Sequence, residues 1–556
     1  MAKTTEPKDS RILADVSGKI YAGIVSVFIC VILAVFPLYY QDYYFDILRA
    51  KYKFYWISVI ALLAVTLVVS LVFCFVDFME YKGKNTKAFL HKFSLGSLKK
   101  VPMEYKMLVL FWLFSAISTI QSDYVYESFW GNEGRYSGLF LLSLYALGTV
   151  LVAKFGRMKQ WYLDLFLLVS LFVCLFGITD YFRMDILGWK VNVKPEQGDI
   201  FTSTLGNVNT YTAYVAIVLG ICCSLFVEEK NIFRSLWYYV LSAVGFFAIL
   251  TGQSDNAYLA LGILFVALPF FVYKEKKGIV RYAVLAATLV TVIKLVYVIS
   301  EKMVDRVVGF SGIIRVIGGH SLMMAVIGLL WCIAIGLFVW ARRQESAESG
   351  KAGQYLLRAW ITLIAALAAV VLFVLFDANF GGHPERYEVL SDYVIFSDTW
   401  GTNRGYCWRI AWQCYQEQPL MHKLFGYGPD TFGILTWDYR EEAIQRYNIY
   451  FESAHNEYLQ YLVTIGPFAL AAYLGFIGSS LKRMIQTVKE QPWTLAFFMA
   501  PLCYCVQAVV NINLPIATPI MWLFLAMGLA ACREKTEAEG EIQGQTAENS
   551  EGNVLQ

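Results

Sequence analysis

Fourteen apolar segments, each about 15 to 24 residues long, recur along the chain, and very few folds can hold them. They fall at about residues 20–40, 55–78, 107–121, 137–153, 161–181, 205–227, 236–251, 257–273, 282–298, 320–341, 359–378, 457–479, 493–511 and 516–532. A hydrocarbon core about 30 Å thick needs roughly 20 apolar residues in helical form, since no water satisfies an open backbone there. The expected fold is therefore all-α, a polytopic transmembrane helical bundle of about 12 to 14 spans. The third and seventh segments are short, which sets the lower count. Composition agrees. The chain is 58% hydrophobic and only 16% charged, whereas a soluble domain carries about 25% charged residues. With 46 basic residues against 43 acidic ones, it excludes a disordered chain, a nucleic-acid binder held by bulk charge and a conventional soluble enzyme.

Fourteen spans place both termini on one side, and positive charge selects which. With the N-terminus in the cytoplasm, inward connections hold 29 Lys and Arg and outward ones 16, Lys294 lying within a span. The connection 79–106, with YKGKNTKAFLHKFSLGSLKK, contributes most to this bias. The expected organisation is a cytoplasmic N-terminus (1–19), spans one to eleven (20–378), an extracytoplasmic catalytic loop with amphipathic helices (379–456), spans twelve to fourteen (457–532) and a disordered cytoplasmic tail (533–556). The first apolar run is too long for a cleavable signal peptide. Nine of the 11 cysteines lie in apolar segments, and Cys407 and Cys414 are too far apart on a helix for a disulfide.

The outer loop is where polar chemistry collects. A loop of that length in a compact protein is usually functional or disordered, and this one is aromatic-rich and punctuated by Gly and Pro. In GTNRGYCWRIAWQCYQEQP, Arg404, Trp408, Trp412 and Tyr415 share one helical face by spacing. That face suits either a ligand site or an anchor in the headgroup layer. Arg409 projects roughly 140° from Arg404, so the two need not serve one ligand. Downstream, FESAHNEYLQYLVTIG runs into span twelve. Ser453 is the expected N-cap, with His455 in the first turn and Tyr458 on the same face. A helix N-terminus keeps an imidazole neutral and favours an anion docked above it. Asn456, Arg404 and Arg409 are its expected neighbours.

Three further outward stretches are unusual. FWGNEGRYSG holds Arg135 framed by glycines; LGNVNTYTAY opens span six with Asn207 and Asn209; TGQSDNAY ends span seven with Ser254 and Asp255. Each also reads as a plain turn or a helix-packing contact.

Together these residues resemble the O-antigen ligase and polysaccharide polymerase family of membrane glycosyltransferases. The resemblance runs through W-G-x-x-x-R-Y-x-G at Trp130 to Gly138, G-N-x-N at Gly206 to Asn209 and R-x-x-x-W-R-x-A-W from Arg404. It continues through G-Y-G-P-D-T-F at Gly426 to Phe432 and H-N-E-Y-L-Q at His455 to Gln460, covering about residues 107 to 532. Many relatives carry Ser-Arg after span seven, where this chain has Ser254-Asp255.

The resemblance implies transfer of a glycan from a polyprenyl (undecaprenyl) diphosphate carrier to a glycan, lipid or protein acceptor, outside the bacterial plasma membrane. His455 is expected to act on the acceptor hydroxyl, and Arg404 and Arg409 on the leaving diphosphate, with Arg135 as a third cation. Asn207, Asn209, Asn456, Tyr458 and Trp408 are the expected substrate contacts. No metal or cofactor is expected, and direct displacement would invert the anomeric carbon. A ligase and a repeat-unit polymerase differ only in the acceptor admitted. A lipid-linked oligosaccharide flippase or other transporter is the alternative from another class, but the ionisable residues within the spans lie near span ends rather than along a central path.

Overall fold

The structure, a computed structural model, describes residues 8–91, 99–309, 312–343 and 348–554. Residues 1–7 of the expected N-terminal segment, 92–98 of the basic connection and 555–556 of the tail lie outside the described residues. The apolar segments form helices α1 (Lys8–Cys30, continued by a π-turn to Val35), α2 (Ile47–Tyr81), α3 (Met103–Ile120), α4 (Leu139–Phe155), α5 (Trp161–Tyr181), α6 (Val208–Glu228) and α7 (Ile232–Thr251). They continue as α8 (Asn256–Ala267), α9 (Lys276–Lys302), α10 (Met323–Arg342) and α11 (Gly350–Asn379). After a long loop, whose main helix is α12 (Trp400–Glu417), come α13 (Glu457–Val488), α14 (Leu495–Gln507) and α15 (Thr518–Val554).

Among the described residues, 11 helices are long and apolar enough to cross a membrane. Two apolar helices are shorter, Leu139–Phe155 and Asn256–Val272, and α15 begins with the fourteenth apolar segment. The all-α polytopic class is thus the observed one. The backbone from 533, expected to be disordered, continues α15 to Val554; its Glu, Gln and Ala favour helix over an open chain.

Burial sorts the spans. Every residue of the α6 hydrophobic window is buried, whereas none of that of α11 is, so α6 is the axis of the bundle and α11 lies at its edge. Aromatic side chains lock the spans beneath the loop. Trp522 of α15 stacks on Tyr145 of α4 at 5.3 Å and on Phe476 of α13 at 5.3 Å, while Phe111 of α3 meets Tyr473 of α13 at 5.1 Å. Such pairs contribute about 0.5–1.5 kcal/mol each beyond their buried area.

The loop between α11 and α13 builds a small core of its own from Tyr406, Cys407, Ile410, Ala411, Cys414, Phe432 and Phe451. Thus α12 buries the face of Tyr406, Ile410 and Cys414 and leaves Trp412 exposed. A break in α13 seats this loop. Gly466 adopts φ 79, ψ 170 ahead of Pro467, which frees carbonyls that an unbroken helix would use. Gln418 Nε2 donates to Val463 O at 3.0 Å and Gly428 N to Thr464 O at 2.8 Å. The loop therefore satisfies the broken helix, and the first turns of α13 pack with the loop. All 11 cysteines are free.

Candidate active site

Three locally strained turns bring the polar residues together. At the start of α12, Gly401, Thr402 and Asn403 lie in the left-handed region with φ 60, 61 and 67, which costs an L-residue about 1–2 kcal/mol. Arg404 Nη1 folds back onto Gly401 O at 2.7 Å, which fixes the guanidinium under that turn. At the start of α13, the N-cap is Asn456, whose Oδ1 accepts from Tyr458 N at 3.1 Å and Leu459 N at 3.0 Å. The expected N-cap, Ser453, instead accepts from His455 N at 3.3 Å. His455 accordingly precedes the helix, at φ 47, and its ring is aimed by that turn rather than by the helix face it would share with Tyr458. Gln460 reaches back to accept from Ala454 N at 3.3 Å, bracing the same turn.

His455, Arg404 and Asp255 line one cavity of about 270 Å³, with Asn209, Ser254, Thr402 and Tyr450. Arg404 Nη1 stands 4.0 Å from Asp255 Oδ2, and Arg404 Nε is buried without a partner. Burial lowers the Arg404 pKa and the Asp255 charge opposes that shift. Asn209 holds the inner wall: its Oδ1 accepts from Ser254 Oγ at 2.5 Å and its carbonyl from Asn511 Nδ2 at 3.0 Å. These bonds join α6, the α7–α8 turn and the end of α14 at one point.

Arg135 comes from a different loop and is held by a residue the sequence reading gave no role. Asp430, in the G-Y-G-P-D-T-F turn, accepts from Asn132 N at 2.8 Å and Ser137 N at 3.1 Å. The W-G-x-x-x-R-Y-x-G loop is thereby wrapped around one carboxylate. Gly428, at φ 104, allows this approach because a Cβ there would collide with Ser128 Oγ. Burial pushes the Asp430 carboxyl up to about 6, against the opposing pull of Arg135. Arg135 itself is lowered by burial, with Asp430 and Glu452 acting the other way. The Asp in a Pro-Asp turn between two glycines was the available sequence signal.

His455 feels all of this. Burial first, and then the charges of Arg404 and Arg135, lower its pKa from 6.5 to about 3. The imidazole is neutral at physiological pH.

Other expected site residues lie elsewhere. Arg409 turns away from the cavity and forms a fork with Asp398, at 2.8 Å to each carboxylate oxygen, while covering the Tyr406 ring at 5.1 Å. That pairing raises the Arg409 pKa and lowers that of Asp398. Asn207 is the N-cap of α6, accepting from Asn209 N at 2.8 Å. Tyr458 donates to Cys505 O at 2.6 Å, fastening α13 to α14. Trp408 packs on Trp400 at 5.0 Å, and its Nε1 is buried without a partner. Of the expected residues, Arg404, His455 and Asn209 therefore line the cavity, Arg135 acts on it electrostatically, and Arg409, Asn207, Asn456 and Tyr458 hold the frame. Among the described residues, no three His, Cys, Asp or Glu side chains converge as metal ligands would.

No curated protein matches the chain. Residues 307–474 match the family model described as O-antigen ligase, so the family resemblance read in the sequence is shown over the segment that supplies Arg404, Arg409 and His455.

Proposed function

We propose that the protein transfers a glycan from a polyprenyl (undecaprenyl) diphosphate carrier to an acceptor hydroxyl at the outer face of the bacterial plasma membrane, with both termini in the cytoplasm. The observation that carries this reading is a neutral His455, at a pKa of about 3, sharing a cavity with Arg404 and feeling the charge of Arg135. A diphosphate leaving group needs cations, and the unpartnered Nε atoms of both arginines are donors without an internal acceptor. Arg404 and Arg135 take the role of stabilising the diphosphate as the anomeric C–O bond breaks. Arg409 has the role of holding the loop.

His455 orients the acceptor hydroxyl and receives its proton as the hydroxyl oxygen attacks. In the free site it is too weak a base for that. A bound diphosphate cancels the two arginine charges and so removes the smaller part of this depression, which strengthens the base on donor binding while burial, the larger part, remains. The arginines supply the positive charge that other transferases take from a metal, which makes the reaction metal-independent, and a single displacement inverts the anomeric carbon.

The test is incubation of purified protein with a polyprenyl-diphosphate glycan and candidate acceptors in the presence of EDTA. Product should form with the wild type and not with His455→Ala, although both fold. Transfer by that variant removes His455 from the mechanism, and loss of activity with EDTA overturns the metal-free reading.

A further inference from the structure

An open groove lies at the opposite end of the spans from the candidate active site. Val208 lines the cavity of that site and Phe226 lines the groove; both lie on α6, about 27 Å apart along its axis. The groove holds about 820 Å³ between α6, α7, α9 and α10.

Its chemistry changes with depth in the same sense on three helices. Five cations line it, Lys230, Lys276, Lys277, Arg281 and Arg342, against one lining carboxylate, Glu275; Lys276 is buried, and Arg281, one residue beyond Val280, turns back to the end of α6. On α9, Val280 and Val284 follow Lys276 at about 6 and 12 Å deeper. On α10, Phe338 lies one turn inside Arg342, whose guanidinium covers its ring at 5.2 Å. On α7, Leu236 lies inside Lys230.

Two of the cations are fixed by backbone. Arg281 Nη1 donates to Phe226 O at 2.5 Å and to Glu229 O at 2.6 Å, and Lys277 Nζ donates to Glu229 O. They cap the C-terminal end of α6 while presenting charge to the groove. Lys276 and Lys277 also occupy the first turn of α9, where the helix dipole repels them. Glu228 and Glu229 offset part of the charge on Lys277 and Arg281, although the Glu229 carboxylate also accepts from Lys230 N at 2.8 Å and Asn231 N at 2.9 Å and pairs with Arg234 Nε at 3.5 Å. Five cations against the three carboxylates Glu228, Glu229 and Glu275 leave the groove net cationic beside an apolar slot, which matches an amphiphile with an anionic head.

We propose that this groove binds one anionic glycerophospholipid, with its phosphate at the rim cations and an acyl chain running inward along Val280, Val284, Leu236 and Phe338. The apolar depth separates this occupant from a soluble phosphate, which would use the rim alone. The site is independent of glycan transfer and stands or falls by itself.

The test is native mass spectrometry of the full-length protein, delipidated in detergent and titrated with phosphatidylglycerol, with phosphatidylcholine of the same chains, and with inorganic phosphate. The wild type should retain one phosphatidylglycerol with about tenfold or greater preference over phosphatidylcholine. Lys230→Gln with Arg342→Gln, both at exposed positions, should lose about tenfold of that preference at an unchanged melting temperature. If that pair does not fold, Lys230→Gln alone should lose a smaller part of it. Equal retention of the two lipids, an unchanged preference in the variant, or displacement of the lipid by equimolar inorganic phosphate overturns the assignment.

Discussion

Arg404 Nη1 lies 4.0 Å from Asp255 Oδ2 across the cavity that holds His455. In the proposed reaction this carboxylate competes with the donor diphosphate for the same guanidinium. Asp255→Asn should therefore lower the KM for the carrier-linked donor, while Asp255→Arg, which replaces the competing carboxylate with a further cation, should lower it further. Steady-state kinetics with varied donor concentration checks both. An unchanged or raised KM in Asp255→Asn would show that the carboxylate serves the acceptor instead.

The depressed pKa of His455 gives a signed pH dependence. Its ring is neutral in the folded protein down to about pH 3, whereas the unfolded chain protonates it near 6.5. The unfolded state thus binds more protons between those values, and this group's contribution to stability is present above 6.5 and lost as pH falls toward 3. Melting temperature in detergent should fall on acidification across that window, and the fall should be smaller in His455→Gln. The pH profile of kcat/KM for the donor, which reports the free site, should show no acid limb near pH 6.5.

Asp430 acts in the opposite direction. Its carboxyl is raised from 3.8 to about 6, so the folded state binds more protons between those values. The site is relieved by protonation there, and stability from this group falls as pH rises through about 6. Asp430→Asn should remove that component while keeping an acceptor for Asn132 N and Ser137 N. Thermal melts of the variant and the wild type between pH 4 and 7 should lie closest at the acid end and diverge most near pH 7, where only the wild type carries the buried charge. Parallel curves would show that Arg135 already offsets the cost of burial.

The fold was legible because each span carries its signal locally. Hydrophobic length alone marked α2 and α6, and it marked the short α4 as well. The site was legible only in part, since helical spacing says which residues share a face and not which face is buried. Arg404 and Trp408 share a spacing, yet α12 packs through Tyr406, Ile410 and Cys414 because the loop folds on itself. The left-handed turns at Thr402 and His455 have no periodic signature, and they decide where Arg404 and the imidazole point. Asp430 was hidden for another reason: its partners, Asn132 and Ser137, lie almost 300 residues earlier in the chain.

Arg404 and Arg409 lie five residues apart on one helix, and the two should respond to substitution in different ways. Arg404 is buried with Nε unpartnered, so in the proposed mechanism Arg404→Lys loses planar, two-point contact with the diphosphate. Transfer should drop about 100-fold or more, with little change in melting temperature. Arg409 is 44% exposed and its carboxylate partner 28%, so solvent screens the pair and its coupling should be about 1 kcal/mol or less. A double-mutant cycle with Arg409→Ala and Asp398→Ala, read by chemical denaturation in detergent, measures that coupling. Activity of the Arg409 variants should track the folded fraction. If Arg409→Lys instead matched the loss seen in Arg404→Lys while remaining fully folded, the diphosphate would have to reach Arg409, and the fork with Asp398 would be a resting state of the free protein.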